Sequence, residues 1–405
     1  MSTHTSIFYR KNYDPYFLLL GHTCCDMNQG ALPAILAFLY YHNVLTSLES
    51  IAWFVFAANM ISAVVQPLVG YASDRYPRPW LMTAGILTAS VSTAAIGFIH
   101  DHSLLMLCCL VNGIGIAVFH PAGGKTAHAV VPSDHLGRGL SLFYVGGNLG
   151  FAIGPILVTI AMTMVGTEGT AVLLIPGILI TGALMYMNAK FVHAISREKR
   201  QTNQRKMQGT AEKERVGAFC VLTVAIFFRA TIFFAINTFI PIFWVKILGK
   251  TVQEGNAILS IIAVMGAIAT LCGGILADRI GVNKVFSYAL TAISPLLIAF
   301  CCIQNEVVNI LLIVPTAFFL YATSAPMMAI GQRFLCNHTG LASGITVGLA
   351  VSFGGITAPL LGRIGDLYGL IATFGVIASC ACCAMVVSYL IPQAAAPATR
   401  IPKEK

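Results

Sequence analysis

Twelve long apolar stretches, separated by short polar turns, run through almost the whole sequence. Each can form a helix of about 20 residues, the length that crosses the hydrocarbon core of a bilayer. They lie at approximately 15–41, 50–72, 80–99, 103–124, 136–163, 170–193, 217–246, 255–277, 284–303, 307–330, 339–362 and 370–391. This pattern predicts an all-α membrane protein with twelve transmembrane helices.

The composition excludes the main soluble classes. Only 10% of the 405 residues are charged and 57% are hydrophobic, whereas a soluble domain has about 25% charged residues. The same arithmetic disfavours a nucleic-acid partner, although the net charge is +9. Most of the twelve cysteines lie within apolar stretches, where they are expected to pack as small hydrophobic residues. Cys380 and Cys383 have no second cysteine pair or histidine beside them, so we expect no metal site.

Lysine and arginine are distributed unevenly between the two sides of the predicted bundle. If the N-terminus is cytoplasmic, 20 of them lie on the cytoplasmic side and three on the opposite side, with Arg229 inside a stretch. Cytoplasmic loops carry such an excess, so both termini are expected to face the cytoplasm. The first stretch is too long for the core of a signal peptide and is expected to remain as a helix.

The two halves of the chain carry the same short motifs at a constant offset of 204 residues. This repeat predicts two six-helix halves, 1–195 and 217–405, joined by a basic cytoplasmic linker at 196–216 that sets topology and contacts anionic lipid. Repeats of this kind place a substrate site at their interface near the bilayer midplane. The matching positions are Gly70, Asp74 and Arg75 with Gly274, Asp278 and Arg279, and Gly150 and Pro155 with Gly354 and Pro359.

The loops after the second and eighth stretches resemble the signature that joins the second and third helices of each half in the major facilitator superfamily. In the first loop, Pro77 replaces the glycine of that signature. The resemblance implies a latch, in which acidic and basic groups pair across helix ends when the cytoplasmic side is shut; alternatively, these groups only set topology. They are Asp74, Arg75, Arg78, Asp278, Arg279 and Lys284.

The fifth stretch resembles the glycine-proline motif of antiporters in that superfamily. Gly150, Gly154 and Pro155 match the motif, but the glycine pair that should follow is missing. Small residues of this kind also let helices approach closely in lipid. The stretch therefore indicates close helix packing and, through the resemblance, antiport.

Two further segments are similar to the fosmidomycin-resistance group of bacterial efflux proteins. They are residues 21–33, with His22, Asp26 and Gln29, and residues 119–122, with His120; Arg229 adds to the match. The resemblance implies a monomeric, proton-coupled transporter in the bacterial inner membrane. It would export small organic compounds, fosmidomycin-like phosphonates among them, with the proton gradient as its energy source and no cofactor.

Two other functions are alternatives to export. A proton-coupled symporter that imports a small organic acid or nutrient would use the same machinery. An intramembrane enzyme is not expected, because the sequence has neither a zinc-protease motif nor a nucleophile elbow. The missing phosphate-binding loop also argues against direct use of ATP.

Asp26 and Arg229 are the acid and the arginine placed deepest in the predicted spans, roughly 16 and 18 Å from the span ends at 1.5 Å per residue. Asp26 maps onto position 230 through the repeat. Intramembrane ionisable groups are functional candidates by default. One hypothesis makes Asp26 a proton carrier that pairs with Arg229 in part of the cycle; the alternative is a permanent salt bridge between the halves.

Further polar residues are candidates for the coupling site or the substrate cavity. His22 and Gln29 follow the same helix face as Asp26, and His120 precedes a proline that frees a backbone carbonyl. Both histidines could relay protons or merely pack through hydrogen bonds. The remaining candidates within the spans are Asn112, Asn148 and Asn237.

Overall fold

A computed structural model describes residues 13–45, 48–75, 78–132, 135–207 and 213–393, in which every regular element is helical. The α-helices are α1 Asp14–Tyr41, α2 Leu48–Arg75, α3 Trp80–Ile96, α4 His102–Val130, α5 Leu136–Val165, α6 Leu174–Met207, α7 Val216–Lys246, α8 Val252–Ile280, α9 Val282–Cys302, α10 Glu306–Ala322, α11 Ser324–Phe334, α12 Thr339–Ser343, α13 Ala350–Tyr368 and α14 Leu370–Leu390. A 3₁₀ helix, Thr167–Leu173, precedes α6, and a π-helical turn, Gly344–Leu349, joins α12 to α13.

The fourteen helices form twelve membrane-crossing segments. Helices α10 and α11 follow each other directly at Thr323 and make the tenth segment, while α12, the π-helical turn and α13 make the eleventh. Among the described residues, nine helices are long and apolar enough to cross a membrane, and α3 is a shorter apolar helix of 17 residues. The prediction of an all-α bundle of twelve spans in two halves is confirmed by this architecture and by the similarities to known proteins given below.

Local sequence signals explain where several helices begin. The side chain of Asp101 accepts a hydrogen bond from the backbone N–H of Leu104 at the start of α4. At the start of α8, Thr251 and Glu254 bond each other's backbone N–H groups in a reciprocal cap. These bonds satisfy N–H groups that have no partner within the helix. The hydrogen bonds from Thr251 also hold the pKa of Glu254 below its ordinary value.

Helices α1 and α5 are in backbone contact because α5 carries glycine where they meet. A Cβ atom added at Gly150 would lie 2.4 Å from the carbonyl oxygen of Thr23. One added at Gly154 would lie 2.2 Å from that of Met27. Larger residues cannot fit here, which agrees with the use of small residues at helix interfaces in lipid. The close contact places the middle of α5 against the polar face of α1.

Helix α6 extends well beyond the membrane-spanning length. It continues to Met207, so the first part of the predicted linker at 196–216 continues this helix. Residues 208–212 of the linker lie outside the described residues. We call the end of the bundle that carries residues 196–216 the linker end.

Candidate functional site

A buried cluster of two histidines and one aspartate lies between α1 and α4. The Nε2 atom of His22 lies 3.1 Å from Oδ2 of Asp26, and Nε2 of His120, from α4, lies 2.9 Å from Oδ1. All three side chains are 7% exposed or less. We call these three residues the histidine–aspartate cluster.

The hydrogen bond on the far side of His22 fixes which ring nitrogen carries a proton. Nδ1 lies 2.7 Å from the backbone carbonyl oxygen of Phe143. A carbonyl oxygen only accepts hydrogen bonds, so Nδ1 must be the donor. In neutral His22, the unprotonated Nε2 would then face the carboxylate of Asp26, and two acceptors would oppose each other.

One additional proton removes this conflict. His120 can donate through Nε2 to Oδ1 of Asp26, whereas Oδ2 and Nε2 of His22 need a proton between them. With that proton the cluster is neutral, and without it the cluster holds one negative charge away from water. The geometry can therefore accommodate one proton between Oδ2 of Asp26 and Nε2 of His22.

The cluster also depends on the glycine of α5 that lies beside it. A Cβ atom at Gly147 would lie 2.6 Å from Oδ2 of Asp26 and 2.8 Å from Nε2 of His22. The ring of His22 also packs against that of Phe143, with centroids 4.0 Å apart. Helix α5 thus confines the His22–Asp26 pair from one side.

The same three side chains offer one ligand atom each within 4.8 Å of one another, which is close enough for a metal ion. No other group of this kind occurs among the described residues. A single proton between Asp26 and His22 also satisfies the opposed acceptors, so the geometry fits a proton as well as a metal ion. No disulfide links the twelve cysteines.

Arg229 occupies a separate polar site in the second half. Its Nε donates to Oγ1 of Thr323 at 3.1 Å, and its Nη2 donates to Oγ of Ser324 and to the carbonyl oxygen of Leu320, at 3.0 and 3.2 Å. The guanidinium also lies over the ring of Phe233, 5.1 Å from its centroid. Arg229 is only 6% exposed and forms no salt bridge with the described acidic residues.

The two polar sites are related by the internal repeat. Asp26 bonds His120 in the first half, and Arg229 bonds Ser324, which lies 204 residues after His120. Equivalent helices therefore carry an acid–histidine pair in one half and an arginine–hydroxyl pair in the other. The salt bridge between Asp26 and Arg229 that the sequence allowed is not formed in this conformation, because each residue has other partners.

The other predicted cavity residues lie at different places. Gln29 donates to Asn59 at 3.2 Å, and Asn148 reaches across to Thr270 of the second half at 3.4 Å. Asn112 bonds Thr93 at 2.6 Å, between α4 and α3. Asn237 donates to the carbonyl oxygen of Phe233 on its own helix at 2.7 Å. Of these four, Asn148 alone bridges the two halves.

The two halves are tied together at the linker end by the repeated aspartates. Asp74 accepts hydrogen bonds from the backbone N–H groups of Gly340 and Leu341, at 2.9 and 3.0 Å. Asp278 accepts from those of Gly137 and Arg138, at 2.8 and 3.1 Å. Each carboxylate therefore caps a helix that belongs to the other half. In this arrangement the bundle is closed at the linker end.

The basic residues of the predicted latch take other positions. The side chain that pairs with Asp74 is Lys125, at 3.0 Å, and Asp278 lies 3.4 Å from Nε of Arg138. Arg75 lies over the ring of Tyr71. The remaining basic residues of the motif are exposed: Arg78, Arg279 and Lys284.

A further contact between the halves, at the linker end, was missed from the sequence. Nδ1 of His128 lies 2.8 Å from Oε1 of Gln332, and these two positions are themselves 204 residues apart. The amide of Gln332 also donates to the carbonyl oxygen of Gly124, at 3.2 Å. The repeat offset could have revealed this pair, because residues related by the repeat axis meet when they lie close to it.

Comparisons with known proteins agree with this architecture. Residues 18–359 match the model of the Major Facilitator Superfamily. The chain is 27% identical over 371 residues to the uncharacterized MFS-type transporter YfnC of Bacillus subtilis, covering 90% of each chain. It is 25% identical over 349 residues to the fosmidomycin resistance protein of Escherichia coli, covering 86% of this chain and 85% of that protein. A crystal structure of the E. coli fucose:proton symporter FucP superimposes with a TM-score of 0.70 at 14% identity, covering 94% of this chain and 98% of that chain.

Proposed function

The chain belongs to the Major Facilitator Superfamily, and from this premise we propose that it is a proton-coupled secondary transporter that exports small organic compounds or antibiotics. Fosmidomycin-like phosphonates are included because a relative that aligns over most of the chain is a fosmidomycin resistance protein. The family consists of transporters, so the chain is not an enzyme. The observation that supports proton coupling most directly is the histidine–aspartate cluster.

The cluster has the properties that a coupling site needs. It can hold one proton between His22 and Asp26, while His120 contacts the other carboxylate oxygen. A charged state is costly in a membrane interior, so loading and release of this proton change the energy of the conformation that surrounds it. Such a difference between states is required for a proton gradient to drive transport.

The closed linker end supports alternating access. The carboxylates of Asp74 and Asp278 hold the halves together there by accepting four hydrogen bonds from backbone N–H groups. Opening that end requires all four bonds to break, which makes the latch a barrier between two conformations. We propose that the protein works in the bacterial inner membrane as a monomer with both termini in the cytoplasm, so that the linker end faces the cytoplasm.

A second candidate is a proton-coupled symporter that imports a small organic acid or nutrient. The separation of the proton site from Arg229 favours this alternative, because a substrate at Arg229 does not have to displace a proton from Asp26. Antiport and symport differ in the direction of proton movement, which a transport assay can measure.

The test uses purified protein in liposomes with an imposed pH gradient and fosmidomycin as the first probe, followed by organic anions and cations. Export by antiport predicts that probe accumulates in vesicles with an acidic lumen and that the lumen becomes alkaline. Symport predicts acidification of the lumen as the probe enters. The proposal of proton-driven transport is wrong if no probe accumulates under a gradient of either sign.

Asp26→Asn keeps the size of the side chain and removes its exchangeable proton. We expect this variant to fold and to lose accumulation driven by the pH gradient. The matched control is Asp366→Asn, because Asp366 is exposed. Wild-type accumulation by Asp26→Asn would remove Asp26 from the coupling mechanism.

A further inference from the structure

Arg229 presents an unneutralised positive charge within the helical bundle. Arg229 is only 6% exposed, and no described acidic side chain forms a salt bridge with it. Its three hydrogen bonds use Nε and Nη2. The two N–H groups of Nη1 have no hydrogen-bond partner among the described residues. A buried charge is normally paired, so this site lacks one negative charge.

Two tyrosines, one from each half of the protein, interact electrostatically with the arginine. Tyr144 of α5 and Tyr321 of α10 both lie within electrostatic reach of the guanidinium. The hydroxyl of Tyr144 is buried and has no hydrogen-bond partner. The ring of Phe233 covers one side of the guanidinium. Arg229 of the second half and Tyr144 of the first half therefore both offer unpaired hydrogen-bond donors, and in repeat folds of this kind the substrate binds at the interface of the halves.

We propose that Arg229 and Tyr144 bind a single negatively charged group of the transported compound, either a carboxylate or a phosphonate monoanion. The two free N–H groups of Nη1 donate to the anion, and Tyr144 donates through its hydroxyl. A planar guanidinium suits such oxyanions because it offers parallel donors. One arginine among neutral hydroxyl groups neutralises one negative charge. This inference rests on the proposed transport function and specifies the substrate class.

The binding site also explains why Thr323 and Ser324 are placed where α10 meets α11. Their hydroxyls, with the carbonyl oxygen of Leu320, hold Nε and Nη2 of Arg229. This leaves Nη1 as the free side of the guanidinium. Thr323 and Ser324 are thus positioning residues, and the anion completes the set of partners.

The experiment measures binding to the purified full-length protein in detergent, without any pH gradient. The probes are fosmidomycin, butyrate and propylphosphonate, each compared with a neutral ester of the same compound. Binding is followed by calorimetry and by the shift in thermal stability. We expect at least one of the anions to bind and the neutral esters to bind much more weakly.

Three variants separate the contributions. Arg229→Gln should weaken anion binding by about ten- to a hundredfold, the factor expected for losing charge-assisted hydrogen bonds. Arg229→Lys keeps the charge without the parallel donors and should bind at an intermediate strength. Tyr144→Phe should weaken binding by about tenfold through loss of one hydrogen bond to a charged group. The control is Arg363→Gln, because Arg363 is exposed.

Three outcomes would overturn the anion site: wild-type affinity in both Arg229→Gln and Arg229→Lys, equal affinity for an anion and its neutral ester, or failure of all three anions to bind. If Arg229→Gln does not fold, Arg229→Lys and Tyr144→Phe still carry the test. Anion binding that depends on Arg229, together with no gradient-driven transport, would refute proton coupling and leave the anion site standing. Transport driven by the gradient with unchanged affinity in the variants would refute the anion site alone.

Discussion

Replacing Gly147 by alanine tests whether α5 confines the proton site. The added Cβ would lie 2.6 Å from Oδ2 of Asp26 and 2.8 Å from Nε2 of His22, whereas ordinary contact begins at 3.4 Å. The two atoms must therefore retreat by 0.8 Å (3.4 − 2.6) and 0.6 Å (3.4 − 2.8). His22 cannot retreat freely, because its Nδ1 is hydrogen-bonded to the carbonyl oxygen of Phe143.

The expected cost combines two opposing effects. Losing a hydrogen bond that involves a charged group costs about 1.5–3 kcal/mol, and alanine is favoured over glycine within a helix by about 1 kcal/mol. The Gly147→Ala variant should therefore be less stable by about 0.5–2 kcal/mol. We expect a larger effect on the protonation of the His22–Asp26 pair, because the added Cβ displaces the contact between these two side chains directly.

The assay follows protonation of the buried carboxyl group by infrared difference spectroscopy as a function of pH. Asp26→Asn identifies its band, and Gly147→Ala should shift the titration midpoint of that band. Gly154→Ala is the packing control, because its Cβ would meet the carbonyl oxygen of Met27 in α1 at 2.2 Å and its three nearest atoms all belong to the backbone of Met27. Gly182→Ala is the neutral control, since a Cβ there meets nothing within 4 Å. An unchanged midpoint and unchanged coupled transport in Gly147→Ala would refute the reasoning.

Two further predictions concern the linker end and the opposite end. Asp74→Asn should increase hydrogen–deuterium exchange at residues 339–342, and Asp278→Asn should increase it at residues 136–139. The reason is that each carboxylate caps a helix of the other half. Equal exchange in the wild type and the variants would contradict the latch. Because the pKa of Glu254 is lowered, its contribution to stability should be present above its ordinary pKa of about 4.3 and be lost as the pH falls through the lowered value. Melting curves of wild type and Glu254→Gln should differ at pH 7 and converge in acid, and a constant difference would exclude this cap as the cause.

The number of spans and the repeat could be predicted because hydropathy and motif spacing depend on the chain alone. The depth of Asp26 follows from the same count, and the helical period places His22 on its face. The partner of Asp26 on α4 could not be predicted, because it depends on how α1 and α4 are rotated about their axes. The hydrogen bond from Nδ1 of His22 to the carbonyl oxygen of Phe143 could not be predicted either, because every residue has a backbone carbonyl and the sequence does not show which one is the acceptor.

The interruptions of the tenth and eleventh segments escaped prediction for a related reason. The apolar stretch at 307–330 continues through Thr323 without a break in hydropathy, yet α11 begins directly after that residue. The hydroxyls of Thr323 and Ser324 bond Arg229 at this point. The boundary between α10 and α11 therefore coincides with a contact between α7 and the tenth segment. The local sequence of the tenth segment carries no sign of this contact, so it could not predict the boundary.

Helix α5 links the proton site, the arginine site and the latch. Asp278 caps its first turn, Phe143 accepts the hydrogen bond of His22, and the next residue, Tyr144, interacts electrostatically with Arg229. Close packing at Gly150 leaves α5 little freedom to move independently of α1. In the proposed mechanism, a proton that leaves the His22–Asp26 pair changes the forces on the same helix whose first turn Asp278 caps. We infer that movement of α5 is the physical connection between protonation and opening of the linker end.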